Sequence, residues 1–376
     1  MQFAFTEEQQ EFRTVLRRFL EDKSPTTEVR RLMESEAGWE REAWTALNRE
    51  LGLTAVSIPE EYGGQGFSAV EHGIVLEEAG RALLCAPYFA SSAMAAPAIL
   101  NAGSEDDKRA LLPDIANGDC IATLAVAEDS GRWGGDGIAM TATASDRGFV
   151  LDGSKSFVVD GHTADLIVVA ARQPGSSGED GLSLFTVRAD APGLERQPLK
   201  SMDETRKLAR LRFNSVSAEL LGEEGAAAAP LARTLQQAAV CLANEMVGGA
   251  ERLREDTMDY IAMRMQFGRQ IASFQAIKHK AADMLLEVEL AKSAAYYAAA
   301  AAADDADDLP AVASLAKAAA SDAYMQTAVN AIQLYGGIGF TWDNDTHLWF
   351  KRAKSSEVFL GHPSEHRESM IRHWAA

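Results

Sequence analysis

Cysteine is scarce: Cys85, Cys120 and Cys241 are the only three in 376 residues. An odd, widely spaced set argues against a disulfide framework or a zinc site and fits reduced, buried thiols. No apolar run reaches membrane-span length. The N-terminus, MQFAFTEEQQ, is acidic and has no apolar signal region, so the expected compartment is the cytosol. No G-x-G-x-x-G run follows a strand and no P-loop lysine is present, which excludes nucleotide binding by those two devices. Positive charge is in deficit, with 36 Lys and Arg against 55 Asp and Glu for a net charge of −19. A field of that sign repels nucleic acid and anionic membranes. It repels anionic nucleotides too, so any site for one must be locally basic. There is no internal repeat.

What is present supports a sizeable core: 47% of residues are hydrophobic, and the length allows two or three domains. The fold class read from the pattern is α+β. Residues 1–118 read as a helical domain, with Thr6 and Gln9 as a capping box at its start. Trp39–Leu51 and Phe67–Leu84 are amphipathic, and Pro59–Gly66 is a loop whose Tyr62 either touches a ligand or packs the loop down. Across 119–222 the period changes to two. Strands are expected at Ile121–Val126, Phe149–Leu151, Ser156–Val159, Asp165–Ala171, Leu182–Val187 and Ala209–Phe213, with Asp152-Gly153 as a hairpin turn. Strands without intervening helices indicate an antiparallel sheet or small barrel, not a Rossmann unit. Glu223–Pro230 is a linker, and residues 227–376 read as a four-helix bundle with a short last helix.

Glu251–Met284 organises the chain. Two helix-period segments meet at Phe267-Gly268, with Gly268 expected to end the first helix and Ser273 to cap the second. Arg264 then lies one turn before the break, on the same helix side as Phe267. The densest basic run is here: Arg252, Arg254, Arg264, Arg269, Lys278 and Lys280. A fixed cation, an aromatic and a glycine corner could hold a pyrophosphate. The plain alternative is an arginine solvating a helix C-terminus.

Four runs in order carry a resemblance. Arg264-Met265-Gln266-Phe267-Gly268 followed by Phe274-Gln275-Ala276-Ile277-Lys278-His279 is similar to the Arg-x-x-Phe-Gly…Phe-Gln-Ala-x-x-His run of the acyl-CoA dehydrogenase family. Ile58–Gly64 resembles that family's N-terminal loop, Leu151–Lys155 its central hairpin, and Ala331–Gly339 its late glycine turn. The resemblance implies the order helical domain, sheet domain, four-helix bundle. It implies FAD as cofactor, acyl-CoA as substrate, electron-transfer flavoprotein as acceptor, and a tetramer working in lipid or steroid breakdown. It also implies that each flavin lies between subunits. One subunit cradles the ring and supplies a carboxylate base. Its neighbour supplies the pyrophosphate and adenosine contacts.

On that resemblance the donated set is intact. Arg264 matches the pyrophosphate arginine, Phe267, Phe274 and Gln275 the adenosine-side residues, and Gln333 with Gly336 and Gly337 the turn whose backbone approaches the phosphates. A simple helix C-cap is the alternative for the two glycines. The ring-side set is eroded: Ala127 and Val159 stand where the family has hydroxyl donors. The base is missing as well. One family position lies 24 residues past Gly336, which is Leu360; the other lies 29 before Phe267, which is Ala238. The family's neighbouring substrate arginine falls on Ala239. Glu245, Glu357 and His362 are the nearest substitutes, and no catalytic residue is assigned. Three readings result. The chain is a non-catalytic partner subunit in a heterotetramer with a catalytic acyl-CoA dehydrogenase; or a self-sufficient homotetramer with a relocated base; or a flavin-free scaffold.

Overall fold

In the computed structural model, which describes residues 5–146 and 148–375, Thr6 and Gln9 close the expected capping box. Gln9 N–H donates to Thr6 Oγ1 at 3.2 Å and Thr6 N–H to Gln9 Oε1 at 2.9 Å. That satisfies two orphan donors at the start of α1 (Glu7–Lys23). Helices α2 (Thr26–Glu34), α3 (Arg41–Leu51), α4 (Ala69–Arg81), α5 (Ala96–Ala102) and α6 (Glu105–Ala116) follow. A π-helical stretch, Phe89–Ala95, leads into α5. Tyr62 is buried and its hydroxyl donates to Glu105 at 2.9 Å, so it packs its loop down. No helix among the described residues is long and apolar enough to cross a membrane. Cys85, Cys120 and Cys241 are buried and form no disulfide among the described residues. The chain gathers into two compact units, Met1–Arg30 with Ala69–Leu84 and Ala239–Ala376, and Arg31–Ser68 with Cys85–Ala238.

The second unit holds a seven-stranded sheet: β1 (Ala122–Ala125), β2 (Thr141–Ser145), β3 (Gly148–Val159), β4 (Leu166–Arg172), β5 (Leu182–Arg188), β6 (Leu194–Leu199) and β7 (Leu208–Leu221). Pairing runs β4–β2–β3–β7–β5 and back to β4, which closes a small barrel. Most pairs are antiparallel, but β1 pairs β4 in parallel and β2 touches β4 in parallel at Thr141 and Arg172. The Asp152-Gly153 hairpin is not formed. β3 runs straight through both residues, and the turn instead follows Ser145, which pairs Gly148. Gly153, at φ +143°, serves a bulge between Leu151 and Gly153 in the β3–β7 register. The Asp152 carboxylate accepts from Ser215 N–H at 2.8 Å across that bulge. Strands β2 and β6 lack a strong alternating signal and were not expected.

The first unit is built on α1, α4, the long α7 (Ala228–Met263), α8 (Gln275–Ala303), α9 (Leu309–Tyr335), α10 (Thr346–Val358) and α11 (Pro363–Ala375). The alanine run of α8 buries Ala295, Ala298, Ala299 and Ala301, consistent with close helix approach. α4 and α7 touch backbone to backbone. A Cβ on Gly80 would lie 2.0 Å from the Glu245 carbonyl oxygen, and one on Gly248 1.8 Å from that of Glu77.

His72 sits in this contact, 4% exposed, with Cys241 Sγ 3.7 Å from its Nδ1. Burial lowers its pKa from 6.5 to about 4. Between those values the unfolded chain binds a proton that the folded chain refuses, so stability is full above pH 6.5 and falls as pH drops toward 4. The contribution at stake is about 3 kcal/mol. Urea unfolding followed between pH 7 and 4.5 should show that decline, and His72→Gln should flatten it. Equal slopes in the two proteins would remove His72 as the cause.

Candidate functional site

The last turns of α7 and α9 and the start of α8 come together over a small apolar cluster. Ile261, Met284 and Leu334 are its buried members, with Tyr260, Ile271 and Ile277 packed against them. The Tyr260 and Tyr335 rings stack at 4.1 Å and 12°, and Tyr335 Oη donates to the Asp256 carbonyl at 3.1 Å. This cluster sets the sequence-predicted residues at one end of the helical unit. Arg264, Phe267, Gln275, Gln333, Gly336 and Gly337 are exposed there, and Phe274 is half-buried.

The local geometry differs from the helix corner expected. α7 stops at Met263, and Gly268 does not end it. Residues Met265–Gln266 (β8) and Arg269–Gln270 (β9) form a two-stranded hairpin. Phe267 and Gly268 are its tip, at φ +51° and +77°, as a type I′ turn requires. Arg264 and Phe267 are therefore on a hairpin and not on one helix side. Ser273 does not cap α8 either: its hydroxyl donates back to the Gln270 carbonyl at 2.7 Å, and Phe274 takes the cap position. Phe267 is 91% exposed and meets Phe274 edge-on at 6.0 Å. Arg269 lies over the Phe274 ring at 4.0 Å, a contact the sequence did not signal.

The basic run divides by use. Arg252 pairs with Asp256 and Arg254 with Glu251, while Lys280 donates to Asn330 at 3.0 Å. The Arg264 guanidinium has no hydrogen bond or ion pair among the described residues. Gly336 ends α9 at φ +68°, and the space a Cβ would take at Gly336 or Gly337 is open. An unengaged guanidinium, an exposed phenylalanine beside a half-buried one and an open glycine turn fit the diphosphate and adenosine end of a dinucleotide.

The two base positions carry no acid: Ala238 is fully buried and Leu360 is 6% exposed. Leu360 holds φ +59°, a strained value for a non-glycine residue, and Gly361 follows at +105°. The loop is pinned from below. Lys317 Nζ donates to the carbonyls of Glu357 and Gly361 at 2.6 and 2.5 Å, and His366 Nε2 meets the Leu360 carbonyl at 2.9 Å. Burial lowers Lys317 to about 7 and His366 to about 4. The substitutes are engaged. Glu245 forms a buried ion pair with Arg352 at 2.6 Å. Glu357 pairs with Lys354. His362 joins the start of α11, its N–H donating to Glu365 at 3.1 Å and its Nδ1 meeting Ser364 Oγ at 3.0 Å.

In the barrel unit Ala127 and Val159 are buried, each 1% exposed. Their backbone groups are used internally: Ser156 N–H donates to the Ala127 carbonyl at 2.8 Å, and Thr123 Oγ1 to that of Val159 at 2.6 Å. Neither side chain can donate a hydrogen bond. Beside them Lys155, fully buried, donates to the Val126 carbonyl and to Glu128 Oε1, both at 2.9 Å. Burial lowers its pKa to about 8 against the pull of Glu128. Glu128 also accepts from the Ala139 and Met140 N–H groups. Buried lysines such as Lys155 and Lys317 have no local sequence signature; only tertiary packing reveals them.

Comparison with known proteins agrees with this architecture. The family models for the acyl-CoA dehydrogenase N-terminal, middle and C-terminal domains match residues 6–119, 123–216 and 224–374. Acyl-CoA dehydrogenase IpdE2 of Mycobacterium tuberculosis is 33% identical over 359 residues, covering 96% of this chain and 95% of that one. Butyryl-CoA dehydrogenase from Megasphaera elsdenii superposes with a TM-score of 0.93 at 26% identity over 100% of both chains. A chain of the ChsE4-ChsE5 complex from Mycobacterium tuberculosis does so at 0.89 and 26% identity, covering 100% of this chain and 99% of that one. With its three domains matched in order and a relative of this identity along nearly its whole length, the chain belongs to the acyl-CoA dehydrogenase family of FAD-dependent oxidoreductases.

Proposed function

We propose that this chain is the non-catalytic partner subunit of a cytosolic heterotetrameric acyl-CoA dehydrogenase. It donates the pyrophosphate and adenosine half of an FAD site whose ring cradle and base belong to the other subunit type. One observation carries the reading: of the donated set all but the half-buried Phe274 are exposed and the Arg264 guanidinium is unengaged among the described residues, whereas the ring side has only buried Ala127 and Val159 and neither base position can ionise. When bound, FAD supplies the acceptor for the β hydride of the acyl thioester. Arg264 neutralises the pyrophosphate. Gly336 and Gly337 let the backbone reach it, and Phe267, Phe274, Gln275 and Gln333 border the adenosine. The catalytic subunit holds the acyl-CoA and removes its α proton, and electron-transfer flavoprotein takes the electrons. A similar structure whose name pairs two differently named chains supports such an arrangement.

Arg264→Ala tests the clamp. Loss of a charge-assisted contact of about 1.5–3 kcal/mol weakens flavin binding by roughly tenfold to a hundredfold. The fold should be unaffected, because Arg264 is exposed and its side chain has no partner among the described residues. Flavin titration of the assembled complex measures this. Unchanged affinity would remove Arg264 from the site.

A further inference from the structure

Three large apolar side chains stand out from the helical unit directly after the glycine turn. Gly336–Phe340 is a 3₁₀ segment that leads from α9 into extended backbone at Thr341. Gly339 is its inward residue: it is buried, and a Cβ there would lie 3.0 Å from that of Tyr335. Its neighbours turn outward. Ile338, Phe340 and Trp342 are 44%, 65% and 59% exposed. Single exposed apolar residues are ordinary, but three within five residues form a ridge of the kind that marks a contact surface. The ridge is braced. Phe340 meets Phe350 of α10 edge-on at 6.1 Å. Trp342 meets the buried His347 edge-on at 4.7 Å, and the cations of Lys351 and Arg30 lie 4.5 and 5.6 Å from its ring centre. Rings held in place before contact lose little freedom on binding.

The charges around the ridge balance. Arg30 pairs with Asp345, and Lys351, which has no hydrogen bond or ion pair among the described residues, is matched in number by the exposed Asp343. Burial, with Lys351 and Arg30 nearby, holds His347 below its ordinary pKa, so it adds no further positive charge at neutral pH. On a chain of net charge −19 the ridge is therefore a locally neutral, apolar surface, without the repulsion that the rest of the chain presents to another acidic protein. Its position says what covers it. A chain spans at most about 3.6 Å per residue, so Trp342 lies within about 18 Å of Gly337, and Ile338 is the next residue to that glycine. A flavin gripped at the turn has its ring in the other subunit type, so the surface of that subunit must come within one FAD length of the turn. We propose that Ile338, Phe340 and Trp342 are where the flavin-cradling catalytic subunit docks on this chain, with the two aromatic rings as its anchors. This rests on the flavin being shared between the two subunit types as proposed above.

The test is subunit affinity, measured by sedimentation over a dilution series of the flavin-bearing complex between this chain and a co-expressed catalytic acyl-CoA dehydrogenase subunit. Phe340→Ala and Trp342→Ala should each raise the dissociation constant about tenfold or more, as truncation of an aromatic anchor does. Flavin per assembled complex should stay at the wild-type level, because the ridge touches protein and not cofactor. Val15→Ser, at a similarly exposed apolar position on α1, should change neither quantity. If Trp342→Ala disturbs the fold through His347, Phe340→Ala carries the test, since its ring meets only Phe350 among the described residues. Wild-type affinity in both ridge variants would overturn the proposal and leave the shared flavin site standing. Loss of self-association of this chain in the variants would assign the ridge to a second copy instead. Unchanged assembly with slower reduction of electron-transfer flavoprotein would assign it to that protein, and either result overturns the proposal. Failure of the wild-type chains to form any flavin-bearing complex would overturn the shared site and this docking surface with it.

Discussion

Purified by itself, the chain should give no acyl-CoA-dependent reduction of an artificial electron acceptor. Abstraction of a thioester α proton at neutral pH needs a base within reach, and such assistance is commonly worth about 10²–10⁴ in rate. Leu360 and Ala238 cannot provide it. Glu245, the nearest buried carboxylate on α7, is held by Arg352 at 2.6 Å and is 5% exposed. Combined with its catalytic partner, the chain should support turnover. Replacing the partner's carboxylate should then abolish it, while Glu245→Gln in this chain should leave turnover per bound flavin nearly unchanged. Activity in the isolated chain that Glu245→Gln stops would establish the relocated-base reading instead.

The second large effect is on stability. Arg352 and Glu245 are 4% and 5% exposed, and a buried pair of that kind is costly to break from one side. Arg352→Met removes the buried counter-charge of Glu245 and should lower stability by about 3–5 kcal/mol. The double variant Glu245→Leu/Arg352→Met removes both charges and should recover much of that loss. Denaturant midpoints of the wild type, the two single variants and the double complete the cycle. Additive losses would mean that the pair is not coupled and that Glu245 is free for another role.

Helix content and order were legible because the apolar positions keep a 3.6-residue period through the outer thirds of the chain. Thr6 and Gln9 gave the first cap outright. The turns were less legible. Asp152-Gly153 has the composition of a hairpin turn, but alternation continues through it and Gly153 serves a bulge. At Phe267-Gly268 the reverse holds: a phenylalanine at φ +51° is poor turn chemistry, so the β8–β9 hairpin looked like a helix end. The candidate site was visible only as a set of residue types. Their exposure at one end of the bundle depends on the Ile261–Met284–Leu334 cluster. The engagement of Glu245 depends on Arg352, which is 107 residues away in the chain. No local pattern records a partner at that distance.

Flavin content is the most direct test of the central claim. The absorbance spectrum of the purified chain should be compared with that of the chain co-expressed with a catalytic acyl-CoA dehydrogenase subunit. Alone, with a clamp but no ring-side hydroxyl donors, the chain should be nearly colourless. The complex should carry about one flavin per two chains, since each site combines one cradle with one clamp. A full equivalent of flavin bound to the isolated chain would contradict the account.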